Sequence, residues 1–179
     1  MSSLLFSIFS IFIACLIAFL MIKIGEFCQK RIQFLHDPVY VPSQAEAVQR
    51  MIQLSRPQVK DRVCDLGSGN GRLVIDFAKL GCQTIGYEID PFLVWESKNN
   101  IQKNGVSDRA QICWKSFWLA DLSQVDILLL FMTASIMEKL ELKLRAELKP
   151  GAKVVSQRFP LPHWKPEKKI GDCYLYIQK

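Results

Sequence analysis

The chain has 179 residues, half of them apolar and 22% charged, a balance that excludes a disordered or low-complexity polypeptide and suits one packed domain with a short appendage. Lysine and arginine outnumber the acids 23 to 17, and the net charge of +6 favours anionic surfaces such as nucleic acid or the inner face of a membrane. Cys15, Cys28, Cys64, Cys82, Cys113 and Cys173 form no C-x-x-C pair, and with only His36 and His163 as histidines this argues against a metal site and for a reducing compartment.

Residues 4–22 carry no charge and are dominated by Leu, Ile, Phe and Ala. As a helix they would cover roughly 28 Å, close to the hydrocarbon thickness of a bilayer. No basic residue precedes the run, whereas Lys23, Lys30 and Arg31 follow it. A cleaved signal peptide would begin with a basic region and close on small residues, and neither feature is present. A core helix apolar on every face would be unusual in so small a domain. The run therefore reads as one N-terminal transmembrane helix, residues 1–24, with the rest of the chain on the cytoplasmic side by the positive-inside rule. Residues 25–37 read as a connector, and residues 38–179 as the folded domain.

Within that domain, Asp37-Pro38-Val39-Tyr40-Val41-Pro42 is extended, because residues before proline avoid the helical region. Ser43 with Glu46 three positions later reads as a capping box, and Val48, Met51 and Ile52 continue at helical spacing. The spacing then predicts strands over 62–66, 83–87, 110–114, 125–131, 153–159 and 172–177, and helices over 72–80, 92–103 and 135–148. The run over 125–131 is continuously apolar, as for a central strand buried on both faces. Such alternation implies an α/β fold, an open and mostly parallel sheet with helices on both faces. In these sheets ligands bind beyond the strand carboxyl ends at the switch point, where the glycine turn after 62–66, Glu88 and the loop after Phe131 all fall.

The turn reads Asp65-Leu66-Gly67-Ser68-Gly69-Asn70-Gly71. A dinucleotide fingerprint would need a glycine where Arg72 stands. An acid ending the strand, followed by alternate glycines, instead resembles motif I of the class I methyltransferases. The resemblance implies a Rossmann-like, seven-stranded-type sheet and S-adenosyl-L-methionine as cofactor. That ligand carries a sulfonium and an α-amino group but no pyrophosphate, so carboxylates near the turn make electrostatic sense. Gly67, Ser68, Gly69 and Gly71 would form the cofactor turn, and Asp65 would orient it or contact the amino-acid part of the cofactor. Glu88, about 20 residues on at a strand end, stands where an acid takes ribose hydroxyls; the plainer alternative is an exposed strand-end charge. By the same resemblance Ile89 would pack on the adenine. No acid follows the third strand, so Ser116 or a backbone carbonyl would replace the usual contact to the adenine amino group.

Tyr40-Val41-Pro42-Ser43, Asp65 to Arg72, Gly86-Tyr87-Glu88 and Arg158-Phe159-Pro160-Leu161-Pro162 stand in one order along the chain. Together they resemble a family of membrane-anchored protein lysine methyltransferases whose mitochondrial members act on the adenine nucleotide translocase and on the c-subunit of ATP synthase. The resemblance implies a membrane-associated protein as substrate, an anchor ahead of the domain, and the matrix side if the protein is mitochondrial. Asn70 departs from the family's usual acid.

A lysine acceptor must lose its proton before attack, its unperturbed pKa being about 10.4. No catalytic base is identifiable from the sequence; His163, Asp121 and Glu138 are candidates by elimination, and each also reads as a surface residue. Phe131, Met132 and Thr133 are candidates for an acceptor channel, or else a strand end and helix cap. The Asn/Asp-Pro-Pro-aromatic motif of nucleic-acid amine methyltransferases is absent, which counts against nucleic acid. A lipid, quinone or other small molecule, RNA, or a non-catalytic cofactor-binding role remain as alternatives. The segment 160–169, with His163, Trp164, Lys165, Lys168 and Lys169, reads equally as a lid, a lipid contact or a solvated loop.

Overall fold

A computed structural model of the chain describes Ile13, residues 16–23 and residues 45–179. The chain divides into two compact units, Met1–Pro38 and Val39–Lys179. The expected anchor lies largely outside the described residues: of it, Ile13 and residues 16–22 are helical with exposed side chains. Among the described residues no helix is long and apolar enough to cross a membrane. The extended segment and Ser43 also lie outside them.

Seven strands form one sheet: β1 (Arg62–Leu66), β2 (Gln83–Glu88), β3 (Ala110–Trp114), β4 (Ile127–Leu130), β5 (Lys153–Gln157), β6 (Lys168–Ile170) and β7 (Cys173–Ile177). Their order across the sheet is β3-β2-β1-β4-β5-β7-β6. The first five are parallel, and β7 runs antiparallel between β5 and β6. The order reverses between β1 and β4, which opens a crevice beyond their carboxyl ends.

Side chains alternate across each strand, so two residue sets make two cores. On one face lie α1 (Ala45–Ser55), α2 (Arg72–Lys79) and α3 (Pro91–Lys103). Met51, Leu54, Leu73 and Phe77 there cover Val63, Ile127, Leu129 and Val155, while Val74, Ala78, Val94 and Ile101 cover Ala110 and Ile112. On the other face α4 (Ala134–Glu147) sets Met137, Leu140 and Leu144 on Cys64, Leu66, Leu128, Leu130 and Val154. All four β4 residues are fully buried, as their unbroken apolar run requires. Burying a side chain such as Phe77 contributes about 1.5–3 kcal/mol.

Several element ends differ from expectation; the apolar run over 125–131 is strand only from Ile127 to Leu130. The strand expected over 153–159 stops at Gln157, because Arg158 has φ +70 and Phe159 N–H turns back to the Gln157 carbonyl. The segment 160–169 is not a plain solvated loop: Leu161 and Trp164 are buried, and Lys168 starts β6. Its lysines had the look of a loop because β6 is an exposed edge, where charge discourages pairing with another chain.

Candidate functional site

The glycine turn leaves β1 at the switch point. Gly67, Gly69 and Gly71 all have positive φ (76, 53 and 80°), which side chains bearing a Cβ rarely adopt. Gly67 N–H and Ser68 N–H both donate to the Tyr87 carbonyl, at 2.9 and 3.0 Å, and Gly71 N–H closes on the Ser68 carbonyl at 2.8 Å. The turn is thereby sewn to the end of β2, and α2 starts directly from Gly71.

Glu88 is the centre of this arrangement. It is buried, so the reading as an exposed strand-end charge is overturned. Its Oε2 accepts Gly69 N–H at 2.8 Å, and its Oε1 accepts Ile89 N–H at 2.7 Å and Asp90 N–H at 2.9 Å. An ionised carboxylate has about four acceptor positions, so one remains, on Oε2, for an outside donor. A grip on two hydroxyls by both oxygens is thus narrower than the sequence suggested. Asp90 in turn caps α3, accepting from Phe92 N–H at 2.8 Å with Pro91 in the first helical position.

Asp65 is buried at the foot of the turn. Burial, and next the negative charge of Glu88, push its pKa up to about 7. A site that raises a carboxyl this far is one that gains from a cationic ligand. Ser68 sits within the turn, its hydroxyl buried without a hydrogen-bond partner and facing Gly86 of the sheet. A Cβ on Gly86 would lie 2.5 Å from that oxygen. Ser116 is half-buried and opens the short 3-10 turn Phe117–Leu119 after β3, with no capping bond from its hydroxyl. Ile89 is half-buried, and its carbonyl accepts the Trp114 indole N–H at 3.0 Å.

Several contributors escaped sequence reasoning. Met132, read from the sequence as a candidate for the acceptor channel but not as part of the turn, lies just beyond β4 and puts its terminal methyl 3.2 Å from where a Cβ on Gly67 would stand. Ser97 of α3 packs so closely on Gly71 that a Cβ there would meet it at 2.9 Å. Asn100 donates to the Asn70 carbonyl at 3.1 Å, which gives the position a structural use without the acid. Gly86 had a legible signal, since a glycine inside a strand marks a close backbone approach. The other three act over long sequence separations.

The candidate bases do not converge on the turn. His163 and Glu138 are exposed and meet each other at 3.7 Å. Asp121 is exposed, and Ser123 N–H holds its carboxyl below the ordinary value, making it a weaker base. Among the described residues no three His, Cys, Asp or Glu side chains gather to hold a metal. Phe131 is half-buried, Met132 buried and Thr133 exposed.

The segment after β5 is held from afar. Leu161 N–H donates to the Tyr176 hydroxyl at 2.9 Å, and the Ser156 hydroxyl to the Phe159 carbonyl at 2.6 Å. Glu141, buried on α4, accepts His163 N–H at 2.8 Å and pairs with Arg145 at 3.0 Å. The Arg145 guanidinium lies 4.4 Å from the Trp164 ring centre, and that ring packs on Tyr176.

Comparison with known proteins agrees with this geometry. A family model described as the ANTKMT methyltransferase domain matches residues 65–168. The chain is 35% identical over 133 residues to the ATP synthase c-subunit lysine N-methyltransferase of Rattus norvegicus, covering 74% of this chain and 61% of that protein. It therefore spans less than two thirds of that relative. It is 38% identical over 152 residues to a protein-lysine N-methyltransferase of Saccharolobus islandicus, covering 79% of this chain and 94% of the relative. Among solved structures, an RNA methyltransferase from Salinibacter ruber in complex with S-adenosyl-L-homocysteine is 33% identical with a TM-score of 0.71, covering 77% and 92% of the two chains.

Proposed function

Since the chain belongs to the ANTKMT methyltransferase domain family and has the Rossmann-like class I methyltransferase fold, we propose that it is an S-adenosylmethionine-dependent protein-lysine N-methyltransferase whose substrate is a membrane-associated protein. The observation that carries this reading is the glycine turn closed onto the buried Glu88 at the sheet's switch point. Two carboxylates beside a positive-φ turn suit a cationic ligand and would repel a pyrophosphate.

Glu88 Oε2 keeps one acceptor position for a ribose hydroxyl. Asp65, in its ionised form, favours the α-amino group. The Gly67 and Gly69 backbone lets the ligand approach without a Cβ in the way. Ile89 flanks the adenine, Ser116 stands at its amino end, and Ser68 contributes through backbone geometry. When bound, S-adenosylmethionine supplies an electrophilic methyl group, which passes to the acceptor nitrogen as the carbon–sulfur bond breaks and S-adenosylhomocysteine leaves. Phe131, Met132 and Thr133 would position the lysine, and their largely apolar character disfavours its charged form, which lowers the cost of losing the ammonium proton.

The protein acceptor follows the names of the relatives in Rattus norvegicus and Saccharolobus islandicus. The RNA methyltransferase from Salinibacter ruber supports RNA as a second reading. Radiolabelled methyl transfer onto membrane and soluble extracts, separated into protein, lipid and RNA, decides between them. Label on protein lysine is expected; label confined to RNA or lipid overturns the acceptor, and calorimetry showing no S-adenosylmethionine binding overturns the whole reading.

The uncharged run over residues 4–22 supports a membrane anchor, with the domain on the cytoplasmic side, or the matrix side if the protein is mitochondrial. Such an anchor raises the effective concentration of a membrane substrate. If removing residues 1–33 left methylation of the native substrate in cells unchanged, this part would fail.

A further inference from the structure

Beyond the reaction itself, one surface of the domain has no role in the account above. Phe92, Trp95, Trp114 and Leu119 are 65, 61, 67 and 64% exposed. They lie on the first turns of α3, at the end of the edge strand β3, and in the 3-10 turn that follows it. The Phe92 and Trp95 rings are 5.9 Å apart, one helical turn from each other. The Trp114 indole N–H is tied to the Ile89 carbonyl, so this ring is fixed beside the loop that leads to Asp90 and α3. Its polar edge is satisfied by the protein while its faces stay in solvent. A domain that leaves three aromatic side chains outside, held in place, exposes them for a partner.

The flanking charge identifies that partner. Lys98 follows Trp95 at helical spacing, and Lys115 follows Trp114 directly; both are exposed. Over residues 91–119 Asp108 and Arg109 pair with each other at 2.7 Å, which leaves Lys98, Lys103 and Lys115 against Glu96. Protein interfaces are depleted of lysine. Tryptophan set among lysines is instead the pattern of side chains that sit at the headgroup level of an anionic bilayer. We infer that this edge of the domain rests on an anionic lipid surface, with Phe92, Trp95, Trp114 and Leu119 in the interfacial layer and Lys98 and Lys115 against the headgroups. The contact would set the Ile89 side of the cofactor site at the membrane surface, whatever the methyl acceptor is.

The chain carries its own probe. Its four tryptophans are Trp95, Trp114, Trp118 and Trp164, so the N-terminal run has none and emission reports the domain alone. The full chain is mixed with vesicles of phosphatidylcholine and phosphatidylglycerol in which the phosphatidylcholine is brominated near the headgroup. Emission should fall by about twofold, because two of the four rings lie in the interfacial layer. The Trp95→Phe/Trp114→Phe variant keeps aromatic bulk and should lose most of that quenching. Lys98→Glu/Lys115→Glu should lose quenching in anionic vesicles. Cofactor binding by calorimetry, expected unchanged in the lysine variant, reports that the fold is intact. Unchanged wild-type emission on vesicle-bound protein overturns the inference, as does equal quenching of the wild type and the tryptophan variant. A blue shift that appears only with rising protein concentration, without lipid quenching, assigns the patch to a second copy and also overturns it.

Discussion

Residues 65–71 and residues 158–164 both leave the sheet at the carboxyl ends of parallel strands, after β1 and after β5. The first is closed through its own backbone N–H groups: Gly67 and Ser68 donate to the Tyr87 carbonyl, Gly71 to the Ser68 carbonyl, and Gly69 to the carboxylate of Glu88, one strand away, which also accepts Ile89 and Asp90 N–H. The second has few backbone bonds of its own and hangs on side chains from α4 and β7, namely Glu141, Arg145 and Tyr176. Backbone closure suits a ligand that is the same in every turnover. Side-chain closure leaves a segment whose shape is set by packing against α4 and β7. The two regions should therefore fail separately when their supports are removed.

The sharpest test is Glu88→Ala. It removes the acceptor for Gly69, Ile89 and Asp90 N–H together with the position left for a ribose hydroxyl. Cofactor affinity should fall about a hundredfold and stability by about 3 kcal/mol, since hydrogen bonds to charged groups are the strong ones. Calorimetry and thermal unfolding check both. Cofactor binding left intact would break the comparison.

Asp65→Asn comes next, and its signature is pH. The Asp65 pKa of about 7 in the fold lies above its ordinary value of 3.8, so between these the folded state holds a proton that the unfolded state has lost. Stability should therefore fall as pH rises from about 4 to about 7. A cationic ligand favours the ionised form, so cofactor affinity should rise over the same range, by about tenfold, with a proton released on binding. The Asn variant should flatten both slopes. A wild-type affinity independent of pH would remove Asp65 from the cofactor's surroundings.

These two effects rest on residues legible in the sequence, and the reason is physical. Glycines that must take positive φ and an acid ending a strand are local requirements that leave local marks. β1, β3 and α3 lie within one residue of where their patterns put them for the same reason. The second region left no such marks. Glu141 sits in a helix rich in charge, and nothing local distinguishes it from exposed Glu138; its burial comes from His163, 22 positions on. Lys168-Lys169 hides an edge strand, and Trp164 owes its burial to Tyr176 and Arg145. The inward turn of the Ser68 hydroxyl was equally hidden, being set by the missing side chain of Gly86 on another strand.

Glu141→Ala tests the second region. It strips Arg145 of its buried partner and leaves His163 N–H without an acceptor, which should cost about 2 kcal/mol. Exchange of the His163 amide should quicken severalfold while the cofactor Kd stays put. Glu141→Gln, which keeps an oxygen for His163, should recover most of the loss. A shift in cofactor affinity would show that the two regions are coupled after all.

Tyr176→Phe is the smallest and most local change. The ring stays, and with it the packing on Trp164 at 5.7 Å between centres. Only the acceptor of Leu161 N–H disappears, and Leu161 is buried, so the freed donor has no water to turn to. A buried donor left unpaired costs about 1–3 kcal/mol. Every 1.4 kcal/mol is tenfold, so Leu161 amide exchange should quicken by about tenfold while amides of the glycine turn keep their protection. If the amides of Gly67 and Gly69 quickened equally, the two regions would open as one unit, and their separation would not hold.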